Sequence, residues 1–184
     1  MVITLDQITI YGTLGTLVVL IIIIYFTHAT RRRIAGALVG GLAAGLLIIL
    51  TDYLAFSLGL WHYPGYTSGI GPIGYYIPTA LFYGAGMALI GWRINRRFGI
   101  KGLTVFIILF GLYGSTRDYI YATSSSNVII FGTGIVPLIV DYIAWVGILI
   151  IAQIVMWFVS GPAKADSLHV KNKNSNITFH HNIK

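Results

Sequence analysis

Cysteine and glutamate are both absent from this 184-residue chain. Without cysteine there is no disulfide, no thiolate nucleophile and no zinc–thiolate site. Without glutamate, every side-chain carboxylate comes from five aspartates: Asp6, Asp52, Asp118, Asp141 and Asp166. Charge of either sign is scarce, at 9% of residues, where soluble domains carry roughly a quarter. Metalloenzyme signatures, phosphate-binding loops and nucleophile elbows are missing as well, and no residue pattern points to a cofactor. His169, His180 and His181 have no acidic or cysteine companions, so no metal site is expected.

Apolar residues are abundant. They make up 57% of the chain, and the mean hydropathy is +0.83. Too little polar material is present to cover a soluble globule, and the apolar runs are continuous, which argues against an outer-membrane barrel. The net charge of +7 does not indicate nucleic-acid binding, because the bases gather at the junctions between apolar runs. They fall at Arg31–Arg33, at Arg93, Arg96, Arg97 and Lys101, and at Lys164, Lys171, Lys173 and Lys184. Cytoplasmic loops carry such clusters under the positive-inside rule.

The sequence predicts an all-α, polytopic bundle of about five spans in the cell's inner membrane. The spans are read at Ile8–Thr27, Ile34–Leu60, Ile73–Trp92, Leu103–Ala122 and Gly134–Val159. Asp6 before the first run and three arginines after it suggest an uncleaved first span with its N-terminus outside. An odd number of spans then puts every basic cluster on the cytoplasmic side. Residues 1–160 form one membrane domain, and residues 161–184 are expected as a polar, disordered cytoplasmic tail. Residues 128–133 are expected as a short outer segment, and whether it re-enters the membrane is left open by the sequence. Gly36/Gly40 and Gly41/Gly45 are small-xxx-small pairs, suited to internal packing or, less simply, to a homo-oligomer through the second span.

The tripeptide Asp-Tyr-Leu/Ile occurs at residues 52–54, 118–120 and 141–143, each time inside apolar sequence. An ionisable residue in a span is a functional-site hypothesis with a partner to be found. Counting residues from the predicted helix ends puts Asp52 and Asp141 about 10–12 Å deep, with Arg117 and Asp118 near the outer end of the fourth span. Asp52 shares a face with Gly41, Gly45, Ile48 and Ala55, and Asp141 with Gly134, Pro137 and Trp145. Tyr76, Thr79, Tyr83 and Gly86 make a polar-aromatic stripe, and Tyr113, Arg117 and Tyr121 align. Asp52 and Asp141 are therefore candidate proton donors or acceptors. Arg117, Asp118, Tyr83, Tyr113, Trp61 and Thr79 are candidate ligand-binding residues, with the rings placed to flank a cation. Because adjacent residues on a helix do not face each other, Arg117 is expected to reach across to Asp52 or Asp141.

One stretch, about residues 31–83, resembles a known family. Arg31-Arg32-Arg33, a helix ending Asp52-Tyr53-Leu54, then Gly59-Leu60-Trp61-His62-Tyr63-Pro64, is similar to the small membrane-embedded lycopene cyclase domains. Asp52 and Trp61 carry the match. Where that family has a proline and an acidic pair, this chain has Pro78 and then Thr79-Ala80-Leu81. The resemblance implies a scaffold that accommodates an isoprenoid, without the acids that would supply a proton for cyclisation. Two functions follow as expectations: binding of, or action on, an isoprenoid or lipid-like molecule, or proton- or cation-coupled transport. A purely structural role in an assembly is the third.

Overall fold

The computed structural model describes residues 5–71, 73–124 and 128–163. The tail expected over residues 161–184 thus lies outside the described residues from residue 164 onward. Five α-helices account for most of the chain: α1 (Leu5–Thr27), α2 (Arg31–Ser57), α3 (Ile73–Pro78), α4 (Met87–Thr123) and α5 (Val136–Ser160). A π-helical segment, Thr79–Gly86, joins α3 to α4 without a break. Four helical stretches are long and apolar enough to cross a membrane: Ile10–Thr27, Arg31–Ser57, Ile73–Thr123 and Val136–Ser160.

The third stretch is 51 residues long, which would extend about 76 Å if straight. It is not straight. Gly99 takes φ 69° and ψ −166° inside α4, a conformation open to glycine because it has no Cβ. Beyond it the chain folds back on itself. A Cβ on Gly91 would meet the Leu103 side chain at 3.2 Å, and one on Gly102 would meet Ile94 at 3.3 Å. Further along, the Tyr83 and Phe110 rings lie 6.1 Å apart. These pairings run in opposite directions about Gly99, so the stretch is an antiparallel helical hairpin.

The bundle is organised around α2, whose small residues admit neighbours on two sides. Gly36 and Gly40 lie against Ser160 and Ala152 of α5, while Gly41 and Gly45 lie against Ala80 and Ala85 of the π-segment. All four glycines therefore face partners within the chain. Between these helices sits the core of Ala37, Ala44, Ala88, Leu89, Ile148, Leu149, Ala152 and Met156. Polar ties between helices are few. Gln153 Nε2 donates to the Ala88 carbonyl at 2.8 Å, and Ser160 Oγ donates to the Arg32 carbonyl at 2.9 Å.

Pro78 explains where the π-segment begins. It has no N–H to continue the i→i−4 ladder, and its ring crowds the carbonyl four residues back. The ladder shifts to the wider π pairing at the next residue, and small side chains (Ala80, Gly84, Ala85) let the widened turn still touch α2. A Cβ on Gly84 would sit 2.7 Å from the Gly41 Cα.

At the end of the bundle away from Arg31–Arg33, two loops meet. Strand β1 (Trp61–His62) pairs antiparallel with β2 (Ile130–Phe131), and Gly132 N–H adds a bond to the Leu60 carbonyl at 2.7 Å. The segment around residue 130 forms one edge of this short ladder.

The glycine contacts can be tested directly. Gly41→Val and Gly84→Val place a side chain where backbone already lies, and each is expected to destabilise by about 1–3 kcal/mol or more. A Cβ at Gly12 would have nothing within 4 Å of it, so Gly12→Val is expected to leave thermal denaturation in detergent unchanged.

Candidate functional site

A cavity of about 250 Å³ lies under the β1–β2 ladder, at the ends of α2, the hairpin and α5. Asp52, Asp118, Asp141, Arg117, Tyr83, Trp61 and Thr79 all line it. Of the residues expected at the site, Tyr113 is 53% exposed and does not line the cavity; it touches the site through Tyr83, whose side chain is within hydrogen-bonding reach. The level inferred from residue counting is thus the level at which the three aspartates meet. Each of them, however, has a different environment.

Asp52 is 2% exposed and is fully engaged as an acceptor. Trp61 Nε1 donates to its Oδ1 at 3.0 Å. Tyr76 and Tyr63 hydroxyls donate to its Oδ2 at 3.0 and 3.1 Å. The Tyr76 oxygen itself accepts the Gly71 N–H at 2.7 Å, which fixes the direction of the phenol proton toward Asp52. Burial pushes the Tyr63 phenol well above its ordinary pKa, so this loop residue stays protonated as a donor. Trp61 and Tyr63 are two residues apart in extended chain and so project to the same side. Asp52 thereby binds the loop after α2 to the start of the hairpin.

Asp118 is paired within its own helix. Arg117 Nη2 and Nε donate to Asp118 Oδ1 at 2.6 and 2.9 Å, and Trp145 Nε1 of α5 donates to Oδ2 at 2.8 Å. This corrects the expectation that Arg117 would reach across to Asp52 or Asp141. The reason lies in the aromatic residues around it. The guanidinium carbon stands 4.6 Å from the Trp145 ring centroid, 5.0 Å from Tyr83 and 5.7 Å from Tyr121. Three electron-rich ring faces hold the cation, and the long, flexible arginine side chain bends back to satisfy the neighbouring carboxylate. The rings come from three elements, α5, the π-segment and α4. Tyr83 is also wedged against Trp145, with centroids 5.0 Å apart.

Asp141 is different. It is 5% exposed, lines the same cavity, and its Oδ2 has no hydrogen-bond partner. Ser115 of α4 is the side chain within bonding reach of this carboxyl, although the same hydroxyl also approaches the Leu138 carbonyl at 3.4 Å. A buried acceptor left unpaired costs about 1–3 kcal/mol, and each such group in a folded protein calls for an explanation. Among the described residues, Asp141 offers the cavity an open acceptor, whereas Asp52 and Asp118 are already occupied. No group of three or more metal-ligating side chains occurs among the described residues.

Several residues that shape the site carry no helical-spacing signal. Tyr63 follows from the two-residue alternation with Trp61, a signal present in the sequence. Val128 and Ile129, which close the cavity from the β2 side, carry no polar mark and emerge only when the two loops pair.

No protein-family model matches this chain, and comparison with curated proteins and with solved structures likewise yields no significant match. The site is therefore read from its own chemistry.

The different roles of the two buried acids lead to a paired prediction. Asp52→Asn puts an amide N–H₂ where a donor already points, leaving at least one of Trp61, Tyr63 or Tyr76 unpaired, at about 1–3 kcal/mol. Its thermal midpoint in detergent should fall by several degrees. Asp141→Asn loses no hydrogen bond at Oδ2 and should melt within about a degree or two of the parent. Equal losses in both variants would contradict the division of roles.

Proposed function

We propose that the protein is a five-span inner-membrane protein, N-terminus outside and C-terminus in the cytoplasm, whose outer cavity binds the polar end of an isoprenoid- or lipid-like molecule. The observation that carries the binding reading is the unpartnered Asp141 Oδ2 in a cavity whose other lining carboxylates, Asp52 and Asp118, are already bonded and whose remaining walls are mainly rings and aliphatic groups. Such an acceptor suits a hydroxyl or amine on an amphiphile. The volume, about 250 Å³, is below the ~300–1,000 Å³ usual for whole drug-sized ligands. It fits a head group or a short segment, with the remainder of the ligand running out among the helices. Tyr83, Tyr121 and Trp145 already hold the chain's own guanidinium, so ligand binding is better supported than stabilisation of a carbocation. The acidic pair of the lycopene cyclase-type domains is also missing here.

Five crossings are supported by the reversal at Gly99, which lies beside Arg93, Arg96, Arg97 and Lys101. Folding there turns one 51-residue stretch into two arms of spanning length and brings those bases to the same side as Arg31–Arg33. The absence of cysteine makes a direct test possible. Single cysteines at Ser68 and Thr123 should react with a membrane-impermeant maleimide on intact cells, and one at Lys101 only after permeabilisation. Labelling of Lys101→Cys from outside would reverse the topology.

A second reading, proton- or cation-coupled transport, draws on one feature: three carboxylates share the cavity with a single guanidinium. Mass spectrometry of gently purified protein separates the two. Binding predicts a defined amphiphile at near-stoichiometric yield, lost in Asp141→Asn and kept in Tyr11→Phe, on an exposed side chain of α1. Transport predicts no retained compound but a pH-dependent solute flux in vesicles that vanishes in Asp141→Asn. Protein that carries no amphiphile and shows no flux would leave the structural role standing.

A further inference from the structure

A second cavity lies at the opposite end of the bundle, among the arginines. It measures about 360 Å³ and is bounded by the start of α2, the fold of α4 and the end of α5. Trp92 lines it and is 1% exposed, yet its indole Nε1–H has no hydrogen-bond partner. Donors left unpaired at such depth are rare, and an indole can only donate. One helical turn on, outside the lining but on the same helix face as Trp92, Arg96 Nη1 is likewise buried without a hydrogen-bond partner. Arg33 stands over the Trp92 ring, its guanidinium carbon 5.3 Å from the centroid, and donates to the Gly161 and Pro162 carbonyls at 2.9 and 3.2 Å.

The surrounding charge has one sign. Residues 7–51, 53–117 and 142–165 contain no acid, whereas Arg33 lines this cavity and Arg31, Arg32, Arg93, Arg96, Arg97 and Lys101 lie within a few residues of its lining side chains in sequence. The remaining lining is mainly apolar, including Ile100, Leu103, Ile154 and Trp157. An opening with surplus donors at a basic bundle end, and hydrocarbon walls leading away from it, has the character of an anionic amphiphile site.

We propose that this cavity binds an anionic phospholipid, its phosphate accepting from the Trp92 N–H beside Arg96, and an acyl chain lying along Leu103 and Ile154. Basic pockets between membrane helices on the cytoplasmic side recognise such head groups, and hydrogen bonds to a charged acceptor are about twice as strong as neutral ones. The site lies at the other end of the molecule from Asp141, so it stands or falls independently of the outer cavity.

The test uses the full chain in detergent with three probes: phosphatidylglycerol, phosphatidylcholine and inorganic phosphate. Native mass spectrometry counts bound lipid, and thermal shift reads stabilisation. Phosphatidylglycerol should be retained and should stabilise, while phosphatidylcholine and millimolar phosphate should do neither. Trp92→Phe keeps the ring and removes the donor, and Arg96→Gln removes the charge. Each should weaken phosphatidylglycerol binding roughly tenfold, and Arg97→Gln, on an exposed side chain, should not. If Trp92→Phe fails to fold, Arg96→Gln against Arg97→Gln still decides. Equal retention of phosphatidylcholine would reduce the site to an apolar groove, and equal stabilisation by phosphate alone would make it a plain anion site. Either result, or unchanged binding in both variants, overturns the proposal.

Discussion

A carboxylate removed from water must be supplied with donors, and this requirement arranges the end of the bundle that holds Asp52, Asp118 and Asp141. Asp52 receives an indole and two phenols from the adjoining loop and the hairpin's start. Asp118 receives a guanidinium from its own helix and an indole from α5. In meeting these demands the chain fixes four elements relative to one another: α2, its following loop, the hairpin and α5. Asp141, between them, is not fully met. The bonded carboxylates therefore surround an acceptor that the chain leaves open, and the proposed binding rests on that arrangement.

The close approach of α2 to its neighbours makes this possible. In hydrocarbon, helices gain little from burying apolar surface against each other, since lipid tails do the same, and tight packing of small residues has to serve instead. Gly36 and Gly40 bring α5 in, and Gly41 and Gly45 admit the π-segment. The π-segment in turn carries Tyr83 to within 5.0 Å of the Arg117 guanidinium. The glycine contacts near the middle of α2 thus determine where the rings sit around the cavity. Pro78, by shifting the hydrogen-bond ladder just before Thr79 and Tyr83, sets the angle at which those residues enter.

Much of this is legible in the sequence because it follows from continuity and spacing. Uninterrupted apolar runs mark the helices, and the three- and four-residue steps from Gly41 through Gly45 to Ile48 and Asp52 place Asp52 inside. Counting from the helix ends brings the three aspartates to one height. Partner choice is not legible. Whether Arg117 turns to its neighbour or reaches across depends on ring faces supplied by Tyr83, Tyr121 and Trp145, which lie on separate elements. Arg33 reads in sequence as one of three boundary bases; its burial depends on where α5 ends and how Gly161 turns the chain, with φ 81°. The pairing of residue 61 with residue 131 joins two loops distant in sequence, with no periodicity to announce it.

That short ladder has a mechanical consequence. Its two strands belong to different connections, one leaving α2 and the other arriving at α5, and only two residue pairs join them. The roof over Asp141 is thus a clasp, whereas the walls below are helices locked by backbone-close glycine contacts. Widening the mouth means unzipping a few peptide hydrogen bonds and lifting the Trp61–Phe131 edge contact, with the walls left standing. On the proposed binding reading, an occupant would exchange as often as this fastener parts, without any loosening of the bundle beneath it.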